Sequence, residues 1–178
     1  MHARIYLLLL SILFFRCSDR TEKLFIAADS TATGIHFSNE ITIGDSLTLN
    51  GYEYIYNGGG VAVGDINNDG LQDIYFTGNM VSSRLYLNKG DLHFEDITET
   101  AKVTTTTWAN GVSMVDINQD GYKDIYVSVG GTGHTPEKNR ANLLFVNNGD
   151  ETFTELASQY GLADSGYGIQ STFFDYDM

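Results

Sequence analysis

The hydrophobic positions of this chain fall in short runs, and two of these runs lead into the same acidic loop. Apolar residues alternate along the runs, and β-branched and aromatic side chains are frequent, which is typical of strands. The repeated segments are GVAVGDINNDGLQDIYF at 60–76 and GVSMVDINQDGYKDIYV at 111–127, and a third copy begins at Phe173 as FFDYD. The pattern predicts loops that each join two strands.

Within each loop, side chains that carry oxygen stand at positions one, three, five and nine of the pattern D-x-N-x-D-G-x-x-D. A calcium loop takes its ligands from such positions, with a backbone carbonyl from the seventh. Gly70 and Gly121, at the sixth, permit the sharp turn. Without a cation the crowded carboxylates would repel each other. The predicted Ca²⁺ ligands are Asp65, Asn67, Asp69, Leu71 and Asp73, and then Asp116, Asn118, Asp120, Tyr122 and Asp124.

Two other interpretations of the loops stay open. Asp, Asn and Gly form tight turns without any ion, although the repeated nine-residue spacing favours an ion. A helix-loop-helix or dockerin-like calcium module also fits the first positions, but it needs an acidic ligand at position twelve and a following helix. Phe76 and Val127 stand at position twelve, and a strand pattern follows each of them.

Each repeat reads as four short strands, and a period of roughly 50 residues with four strands is typical of a propeller blade. In the first repeat the predicted strands are Val61 to Gly64, Leu71 to Thr77, Arg84 to Asn88 and His93 to Ile97. The glycines at 58–60 could suggest a phosphate-binding loop, but no Lys-Ser or Lys-Thr follows them. We therefore expect that they allow the inner strands to pack closely. We predict an all-β fold of four-stranded antiparallel blades in an incomplete propeller.

The chain divides into five predicted segments. Leu24 to Phe37 is expected to be an outer strand that closes the last blade of a full ring, and Gly130 to Ala141 is expected to be a longer surface loop. The segments are a leader at 1–17, an N-terminal segment at 18–57, repeat one at 58–108, repeat two at 109–167, and the start of a third repeat at 168–178.

These repeats, with their spacing and the final FFDYD, resemble the FG-GAP or VCBS repeat proteins of the ASPIC/UnbV, cartilage-acidic-protein-like family, and in particular secreted members from Bacteroidetes-type bacteria. The resemblance covers nearly everything after Leu24. It implies a β-propeller, commonly seven-bladed and similar to the integrin α-subunit head, with calcium in the inter-strand loops. It also implies that this chain is an N-terminal piece, and that Asp175 and Asp177 are the calcium ligands present in the third repeat.

The net charge of the chain bears on its partners, and its first residues bear on its location in the cell. The net charge is −13 with 10 scattered basic residues, which argues against a nucleic-acid partner. The apolar run from Ile5 to Phe15 reads as a secretory signal core that is too short to span a membrane. Cys17 follows it as the lipidated residue of a bacterial lipoprotein does, but Arg16 matches that signal poorly, so an ordinary leader stays open. Because Cys17 is the only cysteine, no internal disulfide can form, and calcium is the expected cross-link.

The sequence shows no catalytic constellation and therefore does not predict an enzyme. Trp108 with Tyr52, Tyr54 and Tyr56 could either line a carbohydrate surface or pack between blades. The leading hypothesis is an exported calcium-binding propeller repeat module that binds a protein or glycan at the cell envelope, with structural calcium and with the remaining blades as partners. The alternative is a non-catalytic part of a larger extracellular propeller enzyme, a hydrolase or lyase.

Overall fold

A computed structural model describes residues 23–44, 52, 54–132 and 135–177 of the chain. It contains two four-stranded antiparallel sheets, each with its strands in sequence order. The first sheet, blade 1, consists of β1 (Val61–Gly64), β2 (Asp73–Phe76), β3 (Arg84–Asn88) and β4 (Phe94–Asp96). The second sheet, blade 2, consists of β5 (Ala109–Val115), β6 (Asp124–Val129), β7 (Leu143–Asn147) and β8 (Phe153–Glu155). The all-β prediction of four-stranded antiparallel blades is confirmed, and the sheets do not close into a ring.

The strand bounds agree with the sequence for β1 and β3 and differ for the other two strands of blade 1. Strand β2 begins at Asp73 rather than Leu71. The reason is that Leu71 still belongs to the acidic loop, where its N–H donates to Asp69 Oδ1 at 2.8 Å. Strand β4 is also shorter than predicted and ends at Asp96, because the chain turns there and the Asp96 side chain accepts from Thr98 N at 3.0 Å.

The main hydrophobic core lies between the two blades. Side chains from both sheets contribute to it, including Tyr75 and Leu85 of blade 1 and Ile125, Val127 and Phe145 of blade 2. Every residue of β6 is buried. Its alternate residues face opposite sides of the sheet, so blade 2 has a second, smaller cluster on its far face that contains Tyr126, Leu144 and Val146. Blade 2 is thus covered on both faces.

The inner strands approach each other closely at glycines. A Cβ atom on Gly60 would lie 2.8 Å from Asn110 O and 3.0 Å from Gly111 Cα. A Cβ on Gly111 would meet backbone and side-chain atoms of Gln170 in the C-terminal segment. The interpretation of the glycine run as close strand packing is therefore confirmed for Gly60.

The C-terminal segment runs beside blade 2 along the route that β5 takes beside blade 1. Gly168 N donates to Val129 O at 3.2 Å, just as Ala109 N donates to Gly78 O at 3.2 Å. Further along, Ser113 Oγ donates to Ser171 O at 2.6 Å. The segment therefore lies where the inner strand of a third blade would run, although it does not form a strand itself.

The N-terminal segment differs from its prediction. Between Leu24 and Phe37 the structure has no strand; it has one helical turn, α1 (Ser30–Thr33), capped by Asp29 and ended by Gly34 at φ 78°. Leu24, Phe25 and Ile26 are more than four-fifths exposed. They form no strand because a strand needs a partner for its hydrogen bonds, and none lies beside them among the described residues. Closure of a last blade by this segment stays a prediction.

Residues after α1 pack on blade 1. The Phe37 ring stacks on Phe76 with centroids 5.2 Å apart. Asn39 and Asn79 exchange two hydrogen bonds of 2.7 and 3.0 Å, and Asn79 also donates to Ala109 O at 3.0 Å. The buried Asn79 side chain therefore ties the N-terminal segment to both blades. In the ranges that the structure describes, no helix has the length and apolar character needed to cross a membrane.

Candidate metal centres

Each acidic loop follows the first strand of its blade and is organised by its own carboxylates. In the first loop, Asp65 accepts hydrogen bonds from Asp69 N at 3.2 Å and from Gly70 N at 2.8 Å. In the second loop, Asp116 accepts from Asp120 N at 3.1 Å and from Gly121 N at 2.9 Å. At position five, Asp69 and Asp120 each accept a hydrogen bond of 2.8 Å from the backbone N–H two residues further on. The two loops therefore have the same local structure.

The backbone of each loop needs glycine at position six for its conformation. Gly70 and Gly121 have φ of 87° and 92°, and a Cβ on either would meet nothing within 4 Å. The requirement is thus conformational rather than steric, because L residues rarely adopt such values. Position four also has positive φ, at Asn68 and Gln119. The predicted reason for the two glycines is confirmed.

The aspartates at position nine are buried and bind the backbone of two elements. Asp73 accepts from Ile66 N at 2.9 Å and from Asn88 N at 2.8 Å. Asp124 accepts from Ile117 N at 2.9 Å and from Asn147 N at 2.8 Å. Both side chains are fully buried. Each carboxylate therefore joins the start of its loop to the third strand of its blade.

The electrostatic environment of these buried carboxylates is unfavourable to their charge. Burial raises the pKa of Asp73, the bonds from Asn88 N and Ile66 N oppose that shift, and the charges of Asp69 and Asp65 add to it. The pKa of Asp124 is raised in the same way by burial and by Asp120 and Asp116. The ion pairs seen among the described residues, Arg84–Asp96 and Lys89–Glu95, lie away from the loops. No Lys or Arg in that part of the chain neutralises the loop carboxylates.

The chemistry of the donor set fits a hard cation, although the loops do not present a ready cage. Carboxylate and amide oxygens are the ligands that Ca²⁺ prefers, and a carboxylate oxygen that accepts one N–H has a second lone pair available. In the described ranges, however, no group of three or more His, Cys, Asp or Glu side chains is placed to hold a metal ion. The oxygens of Asp65, Asp69 and Asp73 instead accept from loop and strand amides. A cation would have to draw them together.

The loops of neighbouring blades contact each other. Asn68 Nδ2 donates to Gly121 O at 3.1 Å, and Asn67 Nδ2 donates to Glu151 Oε1 at 3.1 Å. The buried Asn147 side chain donates to Ile66 O at 2.8 Å. Sequence reasoning did not identify Asn147 or Glu151. The available signal for Asn147 was its equivalence to Asn88 in the repeat, because both stand at the end of the third strand of a blade.

The remaining predicted site residues lie in other places. Asp175 and Asp177 are exposed in the C-terminal segment, where Asp177 N donates to Asp175 Oδ1 at 3.3 Å. Cys17 and the leader lie outside the residues that the structure describes. Of the aromatic group, Trp108 contacts Tyr52 edge to face with centroids 5.6 Å apart, and Tyr56 is 64% exposed.

We expect Asn147→Ala to lower the free energy of unfolding by about 1 to 3 kcal/mol, because Ile66 O loses its buried amide donor. Asn88→Ala is the matched control. Its side chain donates to Gln72 O within its own blade, in an exposed bond of 2.9 Å, so its loss should be smaller. Urea unfolding of both variants measures the difference. Equal losses would contradict the assignment of Asn147 to the junction between blades.

Comparison with known proteins agrees with this geometry. Residues 65–127 match the FG-GAP-like repeat. The chain is also 36% identical over 106 residues to cartilage acidic protein 1 from Xenopus tropicalis. That match covers 58% of this chain and 16% of the relative, so the chain spans a small part of that protein's length. The segment from the first acidic loop to strand β6 thus matches an FG-GAP-like repeat, and the chain is similar over 106 residues to a cartilage acidic protein.

Proposed function

We propose that this chain is an exported, calcium-binding propeller repeat module that binds a protein or a glycan at the bacterial cell envelope, with calcium in a structural role. The observation that carries the proposal is the bond-for-bond agreement of the two acidic loops around a buried aspartate. Turn formation alone does not require a buried carboxylate, since an unpaired buried charge costs free energy. A bound cation would offset that cost in both loops.

A structural role for calcium follows from the position of the loops. The first loop contacts the second through Asn68 and Gly121, and it contacts the β7 end through Ile66 and Asn147. An ion that fixed either loop would therefore also fix the junction between the blades. Because the chain has one cysteine, calcium would serve as its internal cross-link outside the cell, where sites of about 10⁻⁴ to 10⁻³ M are useful.

Further blades are the proposed structural partners of this chain. Val61 and Val63 on β1 are each 56% exposed, whereas Val112, the counterpart of Val61 on β5, is buried by its neighbours. An apolar face of this kind is typical of a surface that another element covers. Asn88 holds the position in blade 1 that Asn147 holds in blade 2, at the end of the third strand. Asn147 donates to the loop of the preceding blade, whereas no such loop lies beside Asn88 in the described ranges. A preceding blade packed on this face would cover Val61 and Val63 and would place a loop beside Asn88.

We expect calcium to raise the melting temperature of the chain, and Asp69→Ala to remove much of that increase. Asp69 is exposed and makes only local bonds in its loop, so the variant should melt close to the parent protein in chelator. Thermal melting in calcium and in chelator measures both effects. Asp164→Ala, an exposed aspartate outside the loops, is the control. Equal melting shifts for Asp69→Ala in both conditions would mean that the carboxylate acts only as a turn former.

Export and lipidation at Cys17 form a separate part of the proposal, supported by the apolar run at 5–15. We expect the chain expressed in a bacterium with an outer membrane to appear in the envelope fraction and to incorporate labelled palmitate. Cys17→Ser should abolish the label and leave export intact. Export without label in the parent protein would point to an ordinary leader, and retention in the cytoplasm would contradict export.

A further inference from the structure

A cavity of about 600 Å³ lies at the ends of the inner strands opposite to the acidic loops. Its floor is glycine backbone at 58–60, at Gly111 and at 130–131, and side chains of Tyr52, Tyr54, Tyr167, Asn57, Asn110 and Gln170 line it. This volume is within the range of small-molecule sites, about 300 to 1,000 Å³. Strand β1 separates the cavity from the first loop by roughly 13 Å, at about 3.3 Å per residue.

Three tyrosines form the aromatic wall of the cavity. Tyr52 lies between Tyr54 and Trp108, with ring centroids 6.1 and 5.6 Å apart. Tyr167 is fixed by Arg140, whose guanidinium carbon lies 4.5 Å from the ring centroid. Tyr54 and Tyr167 are nevertheless 59% and 56% exposed. The wall therefore combines rings supported by neighbours with ring surface that is open to a ligand.

The polar groups that line the cavity in the described part of the chain carry no charge. None of the described residues that line it is Asp, Glu, Lys or Arg, although the chain has a net charge of −13. Burial raises the pKa of Tyr52, and the nearby hydroxyls of Tyr54 and Tyr167 act in the same direction. The Tyr52 hydroxyl is thus neutral at physiological pH. None of these lining residues would supply a counter-ion to a charged ligand.

Amide side chains beside the aromatic wall are held in fixed positions. Asn110 Nδ2 donates to Gly168 O at 2.8 Å, and Gln170 Nε2 donates to Val112 O at 3.2 Å. The glycine floor has no side chains, so a ligand can approach the backbone closely. The site therefore offers aromatic surface on one side and uncharged hydrogen-bonding groups on the other.

We propose that this cavity binds a neutral saccharide. A sugar ring has an apolar face of C–H groups that stacks on an aromatic ring, and its hydroxyls exchange hydrogen bonds with amides and tyrosine hydroxyls. The absence of charge among the lining residues favours a neutral sugar over a uronic acid or a phosphorylated one. This inference rests on the proposed binding function, because it names the ligand class that such a module would recognise.

Trp108 is the only tryptophan of the chain, and it contacts the cavity wall at Tyr52. Its fluorescence is therefore the readout of binding, through the contact with Tyr52. The full chain would be titrated with neutral oligosaccharides of glucose, galactose, mannose, fucose and xylose, and with oligogalacturonate as an anionic probe. We expect a saturable change with at least one neutral probe and none with the anionic one. Tyr54→Ala and Tyr167→Ala should each weaken binding about threefold to tenfold, the range that one aromatic contact supplies.

Tyr56→Ala is the matched control, since Tyr56 is exposed and does not line the cavity, and it should bind as the parent protein does. Asn57→Ala tests the amide side without removing an aromatic ring. Circular dichroism of each variant verifies the fold. No response to any neutral probe, stronger binding of oligogalacturonate, or equal affinities for Tyr56→Ala and Tyr54→Ala would overturn the inference. A complex with an envelope protein that is insensitive to Tyr54→Ala and Tyr167→Ala would keep the proposed function and overturn only this inference.

Discussion

Asp124→Ala is expected to lower the free energy of unfolding by about 2 to 6 kcal/mol in the absence of calcium. The Asp124 carboxylate is fully buried and accepts hydrogen bonds from Ile117 N and Asn147 N. Alanine leaves both backbone donors without a partner, and each unsatisfied buried group costs about 1 to 3 kcal/mol. It also leaves a cavity between the loop and β7. Chemical denaturation in chelator measures the loss.

Asp120→Ala is the control for this experiment because Asp120 lies in the same loop but is exposed. Its hydrogen bonds, to Tyr122 N and Asn118 Nδ2, are exposed to water, so its loss in chelator should be below about 1 kcal/mol. Asp73→Ala should repeat the large effect in blade 1, since Asp73 makes the equivalent bonds. Similar losses for Asp120→Ala and Asp124→Ala would contradict the structural role assigned to the ninth position.

The second large effect is expected at Gly60, where Gly60→Val should lower the free energy of unfolding by about 3 kcal/mol. A Cβ at this position would lie 2.8 Å from Asn110 O and 3.2 Å from Val112 N. These are backbone atoms of β5, so the two inner strands would have to move apart. The core that lies between the blades would loosen with them. Urea unfolding compares the variant with the parent protein.

Gly44 supplies the control, because a Cβ there would meet nothing within 4 Å. Gly44→Val should therefore leave the free energy of unfolding within about 0.5 kcal/mol of the parent value. If Gly60→Val were equally neutral, the inner strands would not be in the close contact described for β1 and β5.

The fold was predictable because it repeats. The two acidic loops and the alternation that flanks them predict β1 and the turn into β2, and the repeated loop spacing predicts a propeller blade. Alternation in the sequence predicts that β2 starts at Leu71, whereas the Asp69 side chain holds Leu71 N in the turn. Local patterns do not record such bonds from side chain to backbone.

The site was only partly predictable for a related reason. The positions of Asp65, Asp73 and their counterparts followed from spacing, but spacing does not show that Asp73 is buried while Asp69 is exposed. Contacts between blades join residues far apart in the chain, such as Asn147 and Ile66. The cavity likewise combines Tyr52 with Tyr167, and no local pattern connects these two residues.

The N-terminal segment follows the repeat pattern only in part. Phe25 and Ile35 are ten residues apart, close to the spacing of nine between Phe94 and Val103 at the end of blade 1. The structure repeats one detail of the blade ends, a tight turn that ends at a residue with positive φ, at Gly34, Lys102 and Gly161. The strand before that turn does not form at Phe25. A β-strand depends on its neighbour for hydrogen bonds, so sequence similarity alone does not place it in a sheet.

The most direct test of the central claim is isothermal titration calorimetry of the folded chain with calcium. The account predicts saturable uptake of two ions, one for each complete loop, with dissociation constants of about 10⁻³ M or tighter. Asp65→Ala combined with Asp116→Ala should abolish this uptake while circular dichroism still shows β structure. A folded parent protein that takes up no calcium would contradict the claim that these loops bind the ion and fix the junction between the blades.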